Sequence, residues 1–581
     1  MSNISVEKNI LEKAKKWLSG NYDQETKEEI QNIINNNPTE LIDSFYKDLE
    51  FGTGGMRGIM GPGTNRMNKY TIGAAAQGLA NYIKIAFPNK DNYSVAIAHD
   101  CRNNSHFFAE TTANVLSANN IHVYLFSALR PTPELSFAIR ELKCNSGVVI
   151  TASHNPKEYN GFKAYWEDGG QLVNPHDVNV VKEVQKIQSV DEIHFHGNNE
   201  LITIIDKEID DKYLNKVCSL SLHPEIIEKN SDISIVYTAL HGTGGTMVPK
   251  ALKKLGFKNI HTVEEQDVYD GNFPTVMSPN PEEASALKMA LELGNDKNAE
   301  LVMGTDPDAD RVGIAVKDDN NNLILLNGNQ AASVLIYYLL SEKKKNNQLK
   351  DNQYIAKTIV TTELLKDIAD YYNVECIDVL TGFKFIADLI KRNQNKKEFI
   401  GGGEESYGYL VGEFIRDKDA VISCTMFAEI AAWAKEQGKS IYQILKEIYA
   451  QFGQYQEALV SLTKKGKTGA EQIEAIMVNF RNDPPKELAG SPILCIKDYL
   501  SSEVCDFKTK ETSIISLPKS NVLQFISKDG SKVSIRPSGT EPKIKFYISV
   551  KISKLDKGSI EKNKIILEKK IKNIVDDLNI K

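Results

Sequence analysis

Short β-type runs and helical runs alternate along residues 94–151, which read SVAIAHDCRNNSHFFAETTANVLSANNIHVYLFSALRPTPELSFAIRELKCNSGVVIT. The predicted elements, in chain order, are a strand at Ser94–Ala98, a helix at Phe107–Ala118, a strand at His122–Phe126, a helix at Pro133–Leu142 and a strand at Gly147–Thr151. Because this alternation places helices on the faces of a mostly parallel or mixed sheet, the stretch predicts an α/β domain.

The same layout recurs twice downstream, and the C-terminal part of the chain departs from it. The elements predicted for the two repeats are a strand at Ile233–Tyr237, a helix at Val248–Leu255 and a strand at Leu301–Gly304, then a helix at Ala331–Leu340 and strands at Tyr354–Val360 and Phe399–Gly403. Further on, Val522–Ser527 and Lys532–Ile535 flank the turn Lys528–Gly530, which predicts a β-hairpin. A helix with one apolar face follows.

These patterns predict three tandem, topologically similar α/β domains with mixed sheets and a smaller C-terminal α+β domain. The predicted boundaries are residues 1–205 for domain I, 206–322 for domain II, 323–454 for domain III and 455–581 for domain IV. A chain of 581 residues also requires several domains, because single hydrophobic cores stop growing near ~250–300 residues.

Composition and charge exclude several classes of protein. The chain is 41% hydrophobic and 25% charged, as is typical of globular proteins, and its formal net charge of -7 argues against a broad nucleic-acid surface. The seven cysteines are widely spaced without a C-x-x-C pair, which is typical of reduced thiols. No apolar run approaches the ~20 residues of a membrane span. We therefore expect a cytoplasmic protein that binds neither nucleic acid nor membranes.

Three aspartates at alternate positions follow a predicted buried strand, in the run Gly304-Thr305-Asp306-Pro307-Asp308-Ala309-Asp310-Arg311. In an extended loop, the three carboxylates would point the same way and suit a hard cation. Mg²⁺ fits best, because an EF-hand calcium loop would need glycine in place of Arg311 and glutamate in place of Lys317. A solvated acidic turn is the alternative without a metal.

A second polar loop, Thr151-Ala152-Ser153-His154-Asn155-Pro156, also follows a predicted strand. Asn155-Pro156 interrupts regular structure, so we expect the Ser153 hydroxyl to be displayed on the crest of a loop. A serine hydrolase is disfavoured, because the glycines of a G-x-S-x-G nucleophile elbow are absent. Taken alone, the motif is more typical of a turn serine beside a structural histidine.

Five further loops carry groups that suit an anion or a sugar. They are Phe51–Gly58 with Arg57, Asn160–Lys163, Thr381–Lys384, Gly403–Gly408 with two glutamates and a serine, and Arg536–Pro542. The last is the most specific, because a guanidinium, two hydroxyls and a glycine turn can together surround a phosphate. Taken singly, each of the others is better explained as a surface turn.

Together these motifs resemble the α-D-phosphohexomutase superfamily, most closely its long bacterial phosphoglucomutase branch, which also contains phosphomannomutases. Four signatures occur in the family's order: Thr151–Pro156, Asp306–Arg311, Gly403–Gly408 and Arg536–Thr540. The resemblance extends from Phe51 to about Tyr547. It implies four domains around a central cleft, with a phosphoserine loop in domain I, a metal loop in domain II, a sugar-binding loop in domain III and a phosphate-binding loop in domain IV.

The resemblance also implies an activity and the residues that carry it. The implied enzyme is an intramolecular phosphotransferase that interconverts α-D-glucose 1-phosphate and glucose 6-phosphate through a phosphoserine and a glucose 1,6-bisphosphate intermediate. The implied metal ligands for Mg²⁺ are Ser153, as phosphoserine, with Asp306, Asp308 and Asp310. The other implied catalytic residues are Arg57, His154, Lys163 and Lys384, and the implied substrate-binding residues are Arg311, Thr381, Gly382, Glu404, Ser406, Arg536, Ser538, Gly539, Thr540 and Lys545.

Several alternatives stay open at this point. By motif position Lys384 is the first candidate for the general acid/base, with Lys163 and His154 next. The run Glu404–Tyr407 is closer to phosphoglucomutases than to the glucosamine-specific branch, yet mannose and pentose phosphates remain alternative substrates. A phosphatase that uses Asp308 or Asp310 as nucleophile, or a phosphosugar sensor, would keep the same loops. The sequence indicates no oligomeric state.

Overall fold

The structure is a computed structural model that describes residues 7–50, 52, 55–464, 466–538, 543–553 and 560–580. The described residues form four β-sheets, and we number the domains I to IV by these sheets along the chain. The fold class predicted from the sequence, three tandem α/β domains and a smaller α+β domain, is confirmed. No helix in the described residues has the length and apolar character that would let it cross a bilayer.

Domain I carries a six-stranded mixed sheet. Its helices are α1 Lys8–Ser19, α2 Gln24–Asn36, α3 Pro38–Phe45, α4 Lys69–Ala86, α5 Ser105–Ala118, α6 Thr132–Glu141 and α7 His176–Gln185, its strands are β1 Gly55–Ile59, β2 Tyr93–His99, β3 Ile121–Phe126, β4 Ser146–Ile150, β5 Tyr159–Trp166 and β6 Ile202–Ile205, and short 3₁₀ turns lie at Val190–Glu192 and Asn199–Leu201. The strand order is β1-β5-β4-β2-β3-β6, in which β2, β3, β4 and β6 run parallel. The predicted strands and helices are found within two residues of their predicted ends.

Burial explains why the sequence predicts β2, a central strand of this sheet. In β2, the residues from Val95 to His99 are all buried, because helices cover both faces of the sheet. The N-terminal helices α1 to α3 form a separate small core, in which the ring centroid of Trp17 lies less than 6 Å from those of Phe45 and Tyr70. Tyr70 belongs to α4, so this core packs against the start of that helix.

Domain II has a five-stranded sheet with the order β11-β10-β9-β7-β8. Its helices are α8 Lys207–Cys218, α9 Pro224–Lys229, α10 Gly244–Leu255 and α11 Lys288–Asp296, its strands are β7 Ile235–Thr238, β8 Ile260–Thr262, β9 Leu301–Thr305, β10 Val312–Lys317 and β11 Leu323–Leu326, and a 3₁₀ turn lies at Glu264–Gln266. Strand β11 pairs with β10, so this sheet continues past the boundary predicted after residue 322. The polar turn before β11 is the loop of a hairpin within the domain.

Domain III has a four-stranded sheet with the order β13-β12-β14-β15. Its helices are α12 Gly328–Lys345, α13 Leu364–Tyr371, α14 Phe383–Asn393, α15 Ala420–Glu436 and α16 Ile441–Phe452, and its strands are β12 Gln353–Thr358, β13 Glu375–Val379, β14 Glu398–Gly403 and β15 Tyr409–Val411. Helix α15 is buried nearly all round, and one hydrophobic core runs through domains I, II and III. The three α/β domains therefore share a common interior.

Domain IV is built on an antiparallel sheet with the order β16-β23-β22-β21-β18-β19-β20, and β17 pairs with β18. Its strands are β16 Gln454–Thr463, β17 Glu487–Leu488, β18 Ser491–Asp498, β19 Glu503–Asp506, β20 Glu511–Ile514, β21 Leu523–Ser527, β22 Lys532–Pro537 and β23 Lys543–Ile552, and its helices are α17 Gly466–Asn482 and α18 Ile560–Asp577. The predicted hairpin is present as β21 and β22. Domain IV has its own core, and Gly453 alone separates it from α16.

Candidate active site

A cleft of about 710 Å³ lies where the four domains meet, which is a size typical of small-molecule sites. Of the predicted site residues, those that line it are Arg57, Ser153, His154, Lys163, Asp310, Arg311, Thr381, Gly382, Glu404, Ser406, Arg536 and Lys545. Asp306 and Asp308 lie directly behind this wall and are fully buried. Residues from all four predicted loops thus come together, although they are hundreds of positions apart in the chain.

Ser153 lies just past the end of β4 and meets the aspartate loop of domain II. Its Oγ donates a hydrogen bond to Asp306 Oδ2 at 2.8 Å and lies 3.2 Å from His154 Nδ1. The residue has a left-handed backbone, with φ of 54°, and is only 3% exposed. The hydroxyl is therefore held inward against the acids rather than displayed on a loop crest.

The aspartate loop is a tight turn between β9 and β10, not the extended loop expected from the sequence. Ala309 has φ of 51°, its N–H donates to Asp306 O at 2.9 Å, and Asp306 Oδ1 accepts the N–H groups of Asp310 and Arg311. One oxygen from each of the three aspartates nevertheless lies within 4.8 Å of the others. No other such group of potential metal ligands occurs in the described ranges of the chain.

Burial opposes ionisation of all three carboxylates, and repulsion from neighbouring aspartates adds to it at Asp306 and Asp310. Burial and the two other aspartates raise the pKa of Asp306 well above its ordinary value. Burial opposes ionisation of Asp308 as well, but Lys163 holds the pKa of Asp308 below its ordinary value. Asp308 Oδ1 and Asp310 Oδ1 are buried and accept no hydrogen bond from a described residue. Unpaired carboxylate oxygens of this kind fit a hard divalent cation such as Mg²⁺.

Two lysines reach these acids from different domains. Lys163 Nζ, on β5 of domain I, is 2.6 Å from Asp308 Oδ2 and 3.5 Å from Asp310 Oδ2. Lys418 Nζ, on the domain III loop that precedes α15, is 2.9 Å from Asp310 Oδ2. Lys418 was not found from the sequence. The only available signal was the charged run Arg416–Asp419 directly before an apolar helix.

Lys384, the first candidate for the general acid/base, is not brought to Ser153. Its Nζ lies 3.7 Å from Asp177 Oδ2 at the contact between domains I and III, and its side chain does not line the cleft. Burial lowers the pKa of Lys384 against the opposing effect of Asp177. The neighbouring Gly382 does reach the cleft, where its N–H donates to Glu404 Oε1 at 3.0 Å.

The guanidinium groups of Arg57, from domain I, and Arg311, from domain II, line the same cleft as Ser153. Arg57 Nη1 donates to Asn155 Oδ1 at 3.1 Å, and Arg311 Nη1 donates to Glu282 Oε1 at 2.8 Å. Burial and these two guanidinium groups hold the pKa of His154 well below its ordinary value. A neutral imidazole therefore lies beside the serine.

The sugar-binding loop predicted in domain III connects β14 to β15. Glu404 is almost fully buried at the cleft wall, and Ser406 lies close by. Glu405 was not predicted from the sequence; its Oε2 accepts hydrogen bonds from the hydroxyls of Thr358 and Thr361. Burial and the adjacent Glu404 raise the pKa of Glu405 to about 7. The loop thus presents several oxygen acceptors to the cleft.

A group of cations from β22 and β23 forms the domain IV wall of the cleft. Arg536, Lys543 and Lys545 line it together with Tyr547, and Lys543 was missed from the sequence. Ser538 lies at the end of β22, where its N–H donates to Lys543 O at 2.7 Å, and its side chain does not line the cleft. Gly539 and Thr540 lie outside the described residues.

Models of one enzyme family match the three α/β domains in order. The descriptions of these models are Phosphoglucomutase/phosphomannomutase, alpha/beta/alpha domains I, II and III, and they match residues 48–191, 211–320 and 327–452. A phosphoglucomutase of Staphylococcus aureus strain MRSA252 is 40% identical over 520 residues, which cover 89% of this chain and 92% of that protein. A phosphoglucomutase of Staphylococcus haemolyticus strain JCSC1435 is 38% identical over 521 residues, with 89% and 92% covered.

A solved structure shares the fold over most of its length. The open form of parafusin, a phosphoglucomutase from Paramecium, superposes with a TM-score of 0.67 at 18% identity and covers 91% of this chain and 96% of that chain. At this identity the likeness concerns the fold alone. The ordered domain matches and the 40% identity over nearly the whole chain go further. They confirm the predicted resemblance: the chain belongs to the phosphoglucomutase/phosphomannomutase family of the α-D-phosphohexomutase superfamily.

Proposed function

We propose that the protein is a phosphoglucomutase, an enzyme that interconverts α-D-glucose 1-phosphate and glucose 6-phosphate through a phosphoserine. The observation that carries the proposal is the meeting of the Ser153 hydroxyl with Asp306 at 2.8 Å, at the wall of a cleft whose domain IV side carries Arg536, Lys543 and Lys545. A phosphoryl carrier and a separate phosphate anchor are what a sugar with two phosphorylation sites requires.

The reaction consists of two phosphoryl transfers that use the same serine. In the first, a sugar hydroxyl attacks the phosphorus of phosphorylated Ser153. The bond between phosphorus and Oγ breaks, the hydroxyl proton leaves, and the serine oxygen regains a proton. The product is glucose 1,6-bisphosphate, which reorients within the cleft and returns its other phosphoryl group to Ser153. The net result moves the phosphate between the two ends of the sugar.

Asp306, Asp308 and Asp310, with an oxygen of phosphorylated Ser153, are the proposed ligands of Mg²⁺, because the three carboxylates converge and a buried oxygen of Asp308 and of Asp310 accepts no hydrogen bond from a described residue. Bound there, the ion supplies neutralisation of the charge on the transferring group. Lys163 and Lys418 hold two of the three carboxylates in place. Arg57 and Arg311 add positive charge at the cleft wall.

The proton transfers require a group close to the reacting oxygens. His154 lies 3.2 Å from the Ser153 hydroxyl. Lys163 contacts Asp308, which belongs to the same turn as Asp306, the partner of that hydroxyl. Both lie nearer to the reaction than Lys384, which pairs with Asp177. We therefore rank Lys163 and His154 ahead of Lys384 as the general acid/base.

The distal phosphate of the sugar binds at the cationic wall of domain IV in this proposal. Arg536 and Lys545 supply fixed donors and positive charge, and Lys543 adds to them. Ser538 and the backbone of Gly539 and Thr540 complete the predicted phosphate loop, the last two outside the described residues. Thr381, Gly382, Glu404 and Ser406 are the proposed contacts of the sugar hydroxyls.

Glucose phosphates are the substrates supported by the names of the similar proteins, and mannose or pentose phosphates are further candidates. Comparing catalytic efficiencies on glucose, mannose, glucosamine and ribose 1-phosphates orders them. We also propose a cytoplasmic location, which the free state of all seven cysteines supports.

The function is tested with glucose 1-phosphate, Mg²⁺ and a trace of glucose 1,6-bisphosphate. A mutase forms glucose 6-phosphate with little free phosphate, a phosphatase does the reverse, and a sensor does neither. We expect Ser153→Ala to lose activity by about 1,000-fold or more and to lack the added phosphate that intact-protein mass measurement detects in the wild type. The matched control is Ser127→Ala, an exposed serine of the same domain. Full activity in Ser153→Ala would exclude the phosphoserine mechanism.

A further inference from the structure

A buried arginine lies beneath the loop that carries Ser153. Arg102 Nη2 donates hydrogen bonds to the carbonyl oxygens of Ser153, at 2.6 Å, and Asn155. Its Nη1 donates to the carbonyl oxygens of Pro156 at 2.9 Å and Tyr159 at 3.0 Å. The Arg102 side chain has no exposed surface and does not line the cleft. One guanidinium therefore binds four backbone carbonyls of a single loop.

These carbonyls need a partner because the loop is irregular. Ser153 has φ of 54°, a left-handed conformation that is unfavourable for a residue with a side chain. Such a conformation persists only where the surroundings determine it. Buried carbonyl groups outside strands and helices also require donors. A planar fork of N–H groups meets both requirements, and Asp100 Oδ2, 3.3 Å from Arg102 Nε, balances its charge.

Domain II covers the other side of the same arginine. The ring of Phe273 lies 5.1 Å from Arg102 Cζ, and Asn103 Nδ2 donates to Asn272 Oδ1 at 3.1 Å. Gly271 packs so closely that an added Cβ would come within 2.3 Å of the Asn103 nitrogen. The segment 270–273 thus presses on Arg102, and its domain also carries Asp306, the partner of the Ser153 hydroxyl.

We propose that Arg102 is a positioning residue of the phosphoryl transfer, which fixes the Ser153 loop against the aspartate loop without touching substrate. Phe273 of domain II packs against this guanidinium, so the position of domain II affects that of Arg102. The inference rests on the proposed function, because it concerns the same serine. In this role the Arg102 side chain, buried behind the cleft, holds the reacting oxygen of Ser153 in place relative to the metal-binding acids.

The test is Arg102→Lys in the full-length protein, assayed with glucose 1-phosphate, saturating Mg²⁺ and glucose 1,6-bisphosphate. Lysine keeps the charge but lacks the planar fork, so it cannot hold all four carbonyls. A shift of about 1 Å in a reacting group costs about 100-fold in rate, so we expect kcat to fall by about that factor. KM should change by less than about threefold, because the substrate contacts are intact.

Further variants separate positioning from general damage. Arg66→Lys is the matched control: Arg66 is also buried in domain I, where it binds Glu40 and the carbonyl of Asp43, and its variant should keep the wild-type kcat. Added guanidinium ion should restore part of the activity of Arg102→Ala. Should Arg102→Lys fail to fold, Phe273→Leu carries the test with an expected loss of about tenfold in kcat.

The outcomes are distinguishable. If the wild type is active and Arg102→Lys has the same kcat, the positioning role alone is overturned. The same holds for Phe273→Leu when only that variant folds. A loss that appears in KM instead of kcat, or an Arg102→Ala protein that guanidinium does not rescue, would also overturn it. A wild type that forms no glucose 6-phosphate would overturn the proposed function and this inference with it.

Discussion

Lys163 of domain I and Lys418 of domain III contact one pair of aspartates, Asp308 and Asp310. Each pairs with a carboxylate of the turn at less than 3 Å, while Asp306 has no lysine partner. Two ammonium groups and the Arg311 guanidinium, whose Nε lies 3.8 Å from Asp310 Oδ1, face the three buried carboxylates. Burial and the neighbouring aspartates still oppose ionisation of Asp306, and a bound cation would favour it. Each lysine also prevents its carboxylate from facing the low-dielectric interior alone, which is costly for a buried charge.

We predict that Lys163→Met reduces kcat more than Lys384→Met does. Removal of a general acid/base typically costs 10²–10⁴-fold, so we expect a loss of about 1,000-fold for Lys163→Met and less than about tenfold for Lys384→Met. The reason is position: Lys163 contacts Asp308, whereas Lys384 pairs with Asp177 outside the cleft. The measurement is kcat at saturating Mg²⁺, with thermal unfolding to verify folding.

The reverse order of the two losses would return the acid/base role to Lys384. Equal, small losses in both variants would leave His154, the remaining neighbour of the Ser153 hydroxyl, as the group that moves the proton.

The sequence predicted Ser153 and the three aspartates because their motifs are local. Each motif lies within a few residues and follows a strand, so spacing and neighbours identify it. Lys418 and Lys543 could not be predicted in this way. They become site residues only through contacts between domains, and an isolated lysine has no local pattern that distinguishes it from the many solvated ones.

Among the helices, α15 begins at a buried aspartate with an altered proton affinity. Asp419 Oδ1 accepts the Ile422 N–H and its Oδ2 accepts the Tyr213 hydroxyl, each at 2.8 Å. Burial raises the pKa of Asp419 from the ordinary 3.8 to about 7. Between these two values the folded protein binds the extra proton, so stability falls as pH rises through the window from about 4 to about 7.

Asp419→Asn keeps the cap but cannot titrate, so its stability relative to wild type should rise with pH. Because the folded pKa is about 7, about two pH units of this window contribute, and at 1.36 kcal/mol per unit we expect the difference to grow by roughly 2–3 kcal/mol between pH 5 and pH 8. The measurement is the unfolding free energy, or Tm, of both proteins at the two pH values. A constant difference would contradict a raised pKa at this position.

Asp23→Asn is the matched control for that comparison. Asp23 caps α2, and hydrogen bonds from Tyr70 and Thr26 outweigh burial and lower the pKa of Asp23. Its carboxylate is therefore ionised in both the folded and the unfolded protein from pH 5 to pH 8. The effect of its replacement should not change over that range.

Strand and helix positions followed from periodicity, whereas the shape of the aspartate loop did not. Alternation at Asp306, Asp308 and Asp310 suggested an extended segment, but Ala309 adopts a left-handed conformation and closes a turn. Backbone hydrogen bonds to the Asp306 side chain stabilise that turn. A left-handed alanine has no signature in a sequence, since glycine and asparagine are the residues that mark such positions.

Across the whole molecule, domain IV is the part that can change its position most readily. Domain IV has a core of its own and follows α16 after Gly453, which has φ of 100°, although its Tyr455 and Ile560 also join the core that runs through domains I, II and III. Its contact with domain III includes a salt bridge from Lys532 to Glu363 at 2.5 Å and a hydrogen bond from Gln524 to the carbonyl of Ile359. Closure of this domain would exclude water from the reaction.

We predict that glucose 1-phosphate with Mg²⁺ reduces the radius of gyration of the Ser153→Ala protein in solution scattering. The phosphate should draw Arg536, Lys543 and Lys545 toward the sugar, and the variant prevents turnover during the measurement. Glucose with Mg²⁺ is the control and should leave the radius unchanged. An unchanged radius with the phosphorylated sugar would exclude closure of domain IV.

The architecture was predictable because each domain repeats a recognisable pattern, but the assembly required the resemblance to a family. Nothing in the loops Thr151–Pro156 and Arg536–Thr540 indicates that they face one cavity. The domain boundaries are also less sharply encoded than the elements. The polar turn at Lys317–Asn322 suggested a junction, yet β10 and β11 pair across it.

Because four domains contribute to the cleft, its parts are synthesised one after another along the chain. A ribosome releases Ser153 first, then the aspartate turn and Lys418, and the cationic strands β22 and β23 only near the end. A chain interrupted after α16 would contain the reacting serine and its acids but nothing to hold the far end of a sugar phosphate. Fragments left by stalled translation or proteolysis that lack β22 and β23 should therefore be inactive, because the groups that bind the distal phosphate are made after the reacting serine and its acids.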